Sequence, residues 1–416
     1  MSRADEYHLK RTYTCDEAIQ QTYNNIYVMG QHDEEIANEP VALLGPNGIG
    51  KTSIARDMAE IKARFNHGIG LGCQSLEELR NEPLPTMVDC NDGSRPGPGE
   101  HGYLHLNLSS HEPEDLAMPN IDELIYRRLV SSGLPGSDNT WTKDVDVEWE
   151  DVSCTVVLEE IAKKPECFKI VSELLDGTLG TEYKVPPKVN FILTANRVED
   201  AAGAHEFHND LANRAARWDI QSSSDAFVEH HKGELHPLIG TLIKYNGNAF
   251  LFTQKDEKNG EPFASPRSVM KVNKYLMAGL DLDDPLSQPA ILGSLGYNST
   301  ATLFDTYRAA HKFGDLDAMI QDPDKYKDKI DELRRDSTPN GRQLIVSIIA
   351  MLASRLNPKA ASYKDASGFN KMYKFVSRFD DEMAVAFSMA AVTVNPDVRK
   401  EGEFVNHYVD NQDFYF

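Results

Sequence analysis

Short apolar runs alternate with helical patterns between residue 41 and about residue 222. The runs are VALL at 41–44, YLHLNL at 103–108, TVVL at 155–158, FILTAN at 191–196 and WDI at 218–220. Strands that alternate with helices predict βαβ units and a mainly parallel sheet. Two polar segments interrupt this pattern: the Gly-, Pro- and Asp-rich segment 84–101, which we expect to be a loop, and residues 131–152.

From about residue 223 onward the pattern is mostly helical. Its most apolar stretches, at 344–353 and 383–394, are too short to span a bilayer, so we expect core helices and no membrane contact. The predicted organisation has four parts. These are an N-terminal helical segment with a linker (1–40), a large α/β domain (41–222), a helical lid (223–312) and a C-terminal helical region (313–416).

Charge and cysteine content narrow the function classes. The 65 acidic and 43 basic residues give a net charge of −22, which disfavours a general nucleic-acid binder, although a ring with lysines in its pore can still carry DNA. The five cysteines form no CxxC pair, which indicates reduced thiols and a cytoplasmic location. The N-terminus has no apolar run, so no secretory signal is expected. The pair His230–His231 lacks further ligands at a usual spacing, so no metal site is expected there.

The strongest chemical signal is the stretch GPNGIGKTS, which follows an apolar run and precedes a helical one. Gly45 to Thr52 fits the phosphate-loop pattern G-x-x-x-x-G-K-S/T, and glycines let successive backbone N–H groups turn inward around phosphates. Lys51 would reach the β- and γ-phosphates and Thr52 would bind Mg²⁺. The alternative is a glycine turn before an ordinary helix. The candidate nucleotide-binding residues are Gly45, Pro46, Asn47, Gly48, Ile49, Gly50, Lys51, Thr52 and Ser53.

Hydrolysis also needs an acidic strand end that holds Mg²⁺ and prepares water. Among the apolar runs, TVVL followed by Glu159 and Glu160 meets this need, whereas DVDVEWED alternates charge and would form an exposed strand. We assign Glu159 to the magnesium shell and Glu160 to water activation. The alternative is that both glutamates open the next helix, where negative charge suits the helix dipole.

Three further polar residues are candidates. Asn196 ends the run FILTAN, and a strand beside the phosphate-loop strand would aim its amide at the γ-phosphate; an isolated asparagine there is more often a turn residue. Arg214 ends the helical segment LANR. Arg267 follows Ser265, a helix N-cap candidate, and Pro266, which suits the first helical turn. Single arginines are most often solvated, so both need further support.

Together the segments resemble an AAA+ ATPase of the MoxR class, especially its phage and prophage versions, from about residue 40 to 275. The resemblance is carried, in order, by GPNGIGKTS, LSSHEPEDLAMPN, VVLEEI, FILTANRVEDAAGAHEF, LANR and SPRS. It implies a P-loop AAA+ parallel sheet sandwiched by helices, followed by a helical lid. It also implies that Asn196 is sensor 1, Arg214 the arginine finger and Arg267 sensor 2, with Arg217 close enough to compete with Arg214. The family usually ends its acidic strand with Asp-Glu, and this chain has Glu159-Glu160.

The resemblance also implies a function. ATP and Mg²⁺ would be the cofactors of a hexameric ring that hydrolyses ATP at subunit interfaces and remodels a protein client as a chaperone does. A protein with a von Willebrand factor A domain is the partner that the family suggests. Two alternatives stay open: a nucleic-acid-directed motor or restriction-type NTPase, and a nucleotide-gated scaffold that does not hydrolyse. The client, the preference for ATP over GTP and the ring size are not fixed by the sequence.

Overall fold

The computed structural model describes residues 12–30, 37–110, 118–120, 125–127, 148–179, 183–198, 200, 205, 209–253, 261–336, 338–360, 363 and 365–410. Most of LSSHEPEDLAMPN, residues 131–147 and much of VEDAAGAHEF therefore lie outside the described residues. The chain divides into two compact units, Met1–Gln221 and Ser222–Phe416.

A seven-stranded parallel sheet forms the centre of the first unit. The strands of this unit are β1 (Thr12–Tyr13), β2 (Val41–Leu44), β3 (Met87–Asp89), β4 (His101–Asn107), β5 (Met118–Asn120), β6 (Ile125–Arg127), β7 (Cys154–Glu159), β8 (Thr178–Leu179), β9 (Tyr183–Lys184), β10 (Val189–Ala195) and β11 (Ala216–Ile220). The order across the main sheet is β1-β11-β2-β10-β7-β4-β3, while β5–β6 and β8–β9 form separate antiparallel pairs.

Each predicted apolar run in this half of the chain coincides with a strand of the main sheet, although Leu108 and Asn196 lie just beyond the ends of β4 and β10. The segment 84–101 is not wholly a loop, because it contains β3 and the first residue of β4. Strand β3 has only three residues and lies at the sheet edge, so it carries too little hydrophobic pattern to be recognised from sequence.

Helices cover both faces of the sheet. The helices of the first unit are α1 (Cys15–Tyr23), α2 (Lys51–Asn66), α3 (Leu76–Asn81), α4 (Phe168–Leu175) and α5 (Asn209–Ala212), and a π-helical stretch (Asn24–Met29) follows α1. Alternate residues of β7 enter different cores: Val157 packs with Ile54 of α2, and Val156 packs with Val171 of α4. Strands buried on both faces are typical of parallel sheets in α/β proteins. The predicted α/β fold class with a parallel sheet sandwiched by helices is confirmed.

The second unit is helical. Its helices are α6 (Ser224–His230), α7 (Pro237–Asn246), α8 (Asn248–Leu251), α9 (Pro266–Met277), α10 (Ser287–Lys312), α11 (Leu316–Gln321), α12 (Lys327–Arg335), α13 (Pro339–Ser354), α14 (Gly368–Val376), α15 (Asp381–Val394) and α16 (Gly402–Asp410). The apolar stretches at 344–353 and 383–394 lie in α13 and α15, which confirms them as core helices. In the described part of the chain, no helix is long and apolar enough to cross a membrane. The division at residue 312 stays a prediction.

Candidate functional site

The loop between β2 and α2 has the backbone that a phosphate loop requires. Gly48 (φ 76°) and Gly50 (φ 100°) adopt left-handed conformations that disfavour other residues. Gly45 donates its N–H to Ala195 O at 3.1 Å, and a Cβ at Gly45 would lie 2.7 Å from Ile220 O. No side chain caps the N-terminus of α2. Its first backbone N–H groups therefore suit an anion.

Lys51 lies over this loop. Its Nζ donates to Gly45 O at 2.6 Å, to Pro46 O at 2.8 Å and to Asn196 Oδ1 at 3.1 Å. Asn196 is buried directly after β10, the strand that pairs with β2. The strand that pairs with the phosphate-loop strand thus brings Asn196 to this loop, while its role toward the γ-phosphate stays a prediction.

The other loop residues divide between core and surface. Ile49 is buried in the core that covers one face of the sheet, and its carbonyl oxygen accepts from Cys15 Sγ at 3.5 Å. Asn47 and Ser53 are exposed. Ile49 therefore anchors the loop, while its polar neighbours lie at the surface.

Glu159 is the last residue of β7 and meets the first turn of α2. Thr52 Oγ1 donates to Glu159 Oε1, and His105 Nε2 of β4 lies 3.1 Å from Glu159 Oε2. The His105 ring lowers the pKa of the Glu159 carboxyl most, desolvation opposes it, and the Thr52 hydroxyl and the Lys51 charge lower the pKa further, to about 2. Glu159 is therefore ionised at neutral pH.

The pair Thr52 and Glu159 fits Mg²⁺. A hydroxyl and a carboxylate are the hard oxygen ligands that this ion prefers, and one or two protein ligands suffice when nucleotide phosphates supply the others. Within the described residues no cluster of three or more His, Cys, Asp or Glu side chains could hold a metal by itself. The hydrogen bond between the two side chains shows that one ion could contact both.

Glu160 has an unusual backbone. It is the one non-glycine residue with positive φ among the described residues, at φ 55° and ψ 31°. Its side chain does not cap the following short 3₁₀ helix (Ile161–Lys163) and instead contacts Lys163 Nζ at 2.7 Å. Glu160 thus occupies the N-cap position of this 3₁₀ helix without a capping hydrogen bond, and its role in water activation stays a prediction. Strained non-glycine residues are concentrated at functional sites.

The strain at Glu160 leads to a stability prediction. A left-handed conformation costs a residue with a Cβ about 1–2 kcal/mol, whereas the greater freedom of glycine in the unfolded chain costs about 0.4–1 kcal/mol. We expect Glu160→Gly to unfold at a higher urea concentration than Glu160→Ala, by about 0.5–1 kcal/mol in the free energy of unfolding. Both variants lack the Lys163 contact, so the pair isolates the backbone. If the alanine variant were the more stable, the left-handed conformation would be wrong.

Arg214 lies just after α5 and is bound within its own chain. Its Nε contacts both carboxylate oxygens of Asp176, at 2.7 and 2.8 Å, and its Nη1 donates to Asp210 O at 2.9 Å. These residues line a cleft of about 710 Å³ that also includes Phe168 and Lys169. The Arg214 and Asp176 side chains are 35% and 48% exposed, so neither is locked in a core.

Arg217, the competing finger, has a different environment. It lies within β11, opposite Ala42 of β2, and its Nε donates to Asp219 Oδ1 at 2.9 Å. Its backbone is thus fixed by the sheet, whereas Arg214 follows a short helix. The hydrogen bonds of these two arginines are with Asp176, Asp210 and Asp219. Within the described residues, neither arginine contacts Lys51, Thr52 or Glu159.

Arg267 lies in the second unit, in the first turn of α9. Ser265 Oγ accepts from Ser268 N at 3.3 Å and Pro266 occupies the first turn, so the predicted helix start is confirmed. The role of Arg267 as sensor 2 stays a prediction. His236, in the same unit, is buried, and its Nδ1 accepts from Leu238 N at the start of α7.

Sequence reasoning missed His105, Lys163 and Asp176 as neighbours of the candidate residues. The pattern YLHLNL places Tyr103, His105 and Asn107 on one face of β4. That alternation was the available signal, but it identifies a partner only when β4 is known to pair with β7.

Comparisons with known proteins add little beyond this geometry. No protein-family model matches the chain, and no curated protein matches it. Among solved structures, the chain is similar to C. elegans PCH-2 with 13% identity over 81% of this chain and 68% of that one, at a TM-score of 0.29. It is also similar to a katanin structure that concerns katanin self-assembly, with 13% identity over 73% and 91% of the two chains and a TM-score of 0.28. These scores are too low to carry an argument.

Proposed function

We propose that this chain is a Mg²⁺-dependent ATPase of the AAA+ MoxR class, which hydrolyses ATP at the subunit interfaces of a hexameric ring to remodel a protein partner. One observation carries the ATPase part of the proposal. At the carboxyl ends of β2, β7 and β10, the sheet places Lys51 beside Asn196 and Thr52 beside Glu159. Ligands of open α/β sheets bind at this edge.

The loop and its lysine account for nucleotide binding. Backbone N–H groups of the loop and of the α2 N-terminus can surround the phosphates, and Lys51 adds a positive charge. The Lys51 ammonium has three N–H donors, and Gly45 O, Pro46 O and Asn196 Oδ1 accept from them. These bonds hold Lys51 at the loop, and binding of the phosphates would exchange part of them for charge-assisted bonds to phosphate oxygens.

The acidic strand end accounts for hydrolysis. Thr52 and Glu159 would hold Mg²⁺, which when bound neutralises charge on the β- and γ-phosphate oxygens. Glu160 is the general base that takes a proton from the attacking water, and Asn196 orients that water against the γ-phosphate. Asn196 suits this role because its side-chain oxygen already bonds the lysine that would contact the same phosphate.

A shared site explains the surroundings of Arg214. Its pair with Asp176 is exposed, and exposed ion pairs contribute about 0–1 kcal/mol. Exchange of Asp176 for the γ-phosphate bound to a neighbouring subunit therefore costs little. The side chain is available for this exchange because it is partly exposed and lines an open cleft.

Subunit mixing tests the shared site. In the proposed ring, each active site needs Lys51 from one subunit and Arg214 from its neighbour. Lys51→Ala and Arg214→Ala each remove one of these residues from every site, so we expect each variant alone to be inactive as an ATPase. A 1:1 mixture regains activity, because about a quarter of randomly formed interfaces then combine an intact Lys51 with an intact Arg214. The Lys51→Ala/Arg214→Ala double variant, mixed with either single variant, is the inactive control. Wild-type activity of Arg214→Ala alone would assign the finger elsewhere, with Arg217→Ala as the next variant.

The protein client is the least constrained part of the proposal. The resemblance suggests a partner with a von Willebrand factor A domain, and the net charge of −22 is more consistent with a protein than with DNA. Native purification of Glu160→Gln in the presence of ATP would retain both the ring and its partner. Salt-dependent stimulation of hydrolysis by DNA, with no retained protein, would favour a nucleic-acid motor instead.

A further inference from the structure

Glu159 has one methylene more than the aspartate usual at this position in the family that the chain resembles. The extra rotatable bond lets the carboxylate adopt more positions at the end of β7. Both of its oxygens are nevertheless engaged, since Thr52 Oγ1 donates to Oε1 and His105 Nε2 lies 3.1 Å from Oε2. One contact comes from the phosphate-loop helix and the other from the neighbouring strand.

The His105 ring is directed at Glu159 by the sheet. Strand β4 pairs with β7 so that His105 lies opposite Val157 and Asn107 opposite Glu159. His105 N donates to Asn91 Oδ1 at 3.0 Å, which holds the backbone of β4 at this residue. His105 therefore lies two residues before Asn107, the residue of β4 that is opposite Glu159, and its ring extends toward the Glu159 carboxylate.

The Nε2 atom of His105 is buried, and it lies 3.1 Å from Glu159 Oε2. The contact is close without the alignment of a full hydrogen bond, so the edge of the ring limits where Oε2 can lie. The atom lies beside the residues that fit Mg²⁺.

We propose that His105 is a positioning residue for the magnesium site: it holds Oε2 of Glu159 so that Oε1 stays next to the Thr52 hydroxyl. His105 thereby compensates for the longer side chain at residue 159, and the two residues form one functional pair. This inference rests on the proposed function, because the magnesium site is part of it. Partners that orient metal ligands without touching the metal typically change metal affinity about 10–100-fold when removed.

The pairing predicts different effects of the same substitution in two backgrounds. In the native background, His105→Ala frees the Glu159 carboxylate, and we expect Mn²⁺ to bind about 10-fold more weakly. In the Glu159→Asp background the carboxylate is withdrawn by about one C–C bond, ~1.5 Å, and no longer reaches His105. There, we expect His105→Ala to change Mn²⁺ affinity less than about 2-fold. His105→Gln, which keeps an N–H donor, should restore part of the loss in the native background.

Mn²⁺ is a suitable probe because its free and bound forms differ in electron paramagnetic resonance. The experiment measures Mn²⁺ affinity of the full chain with saturating ADP, for the native chain, His105→Ala, His105→Gln, Glu159→Asp and the Glu159→Asp/His105→Ala pair. The inference would be overturned if the native chain and His105→Ala bound Mn²⁺ with equal affinity. It would also be overturned if His105→Ala reduced Mn²⁺ affinity equally in the native and Glu159→Asp backgrounds, because that would indicate a general effect on the sheet. If the native chain bound no Mn²⁺, or bound it equally well without ADP, that result would instead contradict the proposed function.

Discussion

Glu160→Gln lowers steady-state ATP hydrolysis by about 100-fold or more and leaves ATP affinity within about 2-fold of that of the native chain. General-base catalysis contributes about 10²–10⁴-fold, and an amide cannot take the proton. Binding is retained because Glu160 contacts Lys163 and does not contact Lys51 or Thr52 in the described structure. Phosphate release and binding of a fluorescent ATP derivative measure the two quantities separately.

Lys163→Gln is the matched control for this prediction. It removes the contact with Glu160 but keeps the carboxylate, so we expect hydrolysis to change by less than about 3-fold, in keeping with an exposed ion pair. If Glu160→Gln and Lys163→Gln both hydrolysed ATP at the native rate, the general base would be another residue and the assignment of Glu160 would be wrong.

Lys51→Ala weakens ATP binding by about 100-fold or more. Charge-assisted hydrogen bonds contribute about 1.5–3 kcal/mol each, and Lys51 can make more than one to the β- and γ-phosphates. The substitution also removes the donor that Gly45 O, Pro46 O and Asn196 Oδ1 share, so the loop loses the side chain that links it to Asn196. Isothermal titration calorimetry with ATP measures the change in affinity.

Lys188→Ala is the control for the loss of a lysine in the same unit. Lys188 is half-buried and its side chain pairs with exposed Asp151, so its removal should leave ATP affinity unchanged within about 2-fold. A loss of less than about 3-fold for Lys51→Ala would mean that the loop does not bind phosphates through this residue.

Much of the candidate site could be predicted from the sequence, because parallel strands bring their carboxyl ends to one edge of the sheet. The phosphate loop, the acidic end of β7 and Asn196 each follow an apolar run that the sequence displays. These three segments come together because the strands are parallel, and the alternation of strands and helices predicts that arrangement.

The contacts between distant segments could not be predicted in the same way. His105 meets Glu159 only because β4 pairs with β7, and the order of strands is a property of the folded sheet. Asp176 binds Arg214 across 38 residues of sequence, and neither residue lies in a pattern that indicates the other. The left-handed backbone of Glu160 could not be predicted either, because glycine is the residue type that indicates such a conformation in a sequence.

Hydrolysis itself is the central claim, and phosphate release by the purified full chain at increasing Mg²⁺ concentration tests it most directly. We expect phosphate release that saturates with ATP, requires Mg²⁺ and is lost in both Lys51→Ala and Glu160→Gln. A native chain that binds ATP but releases no phosphate at any Mg²⁺ concentration would contradict it and would favour a nucleotide-gated scaffold.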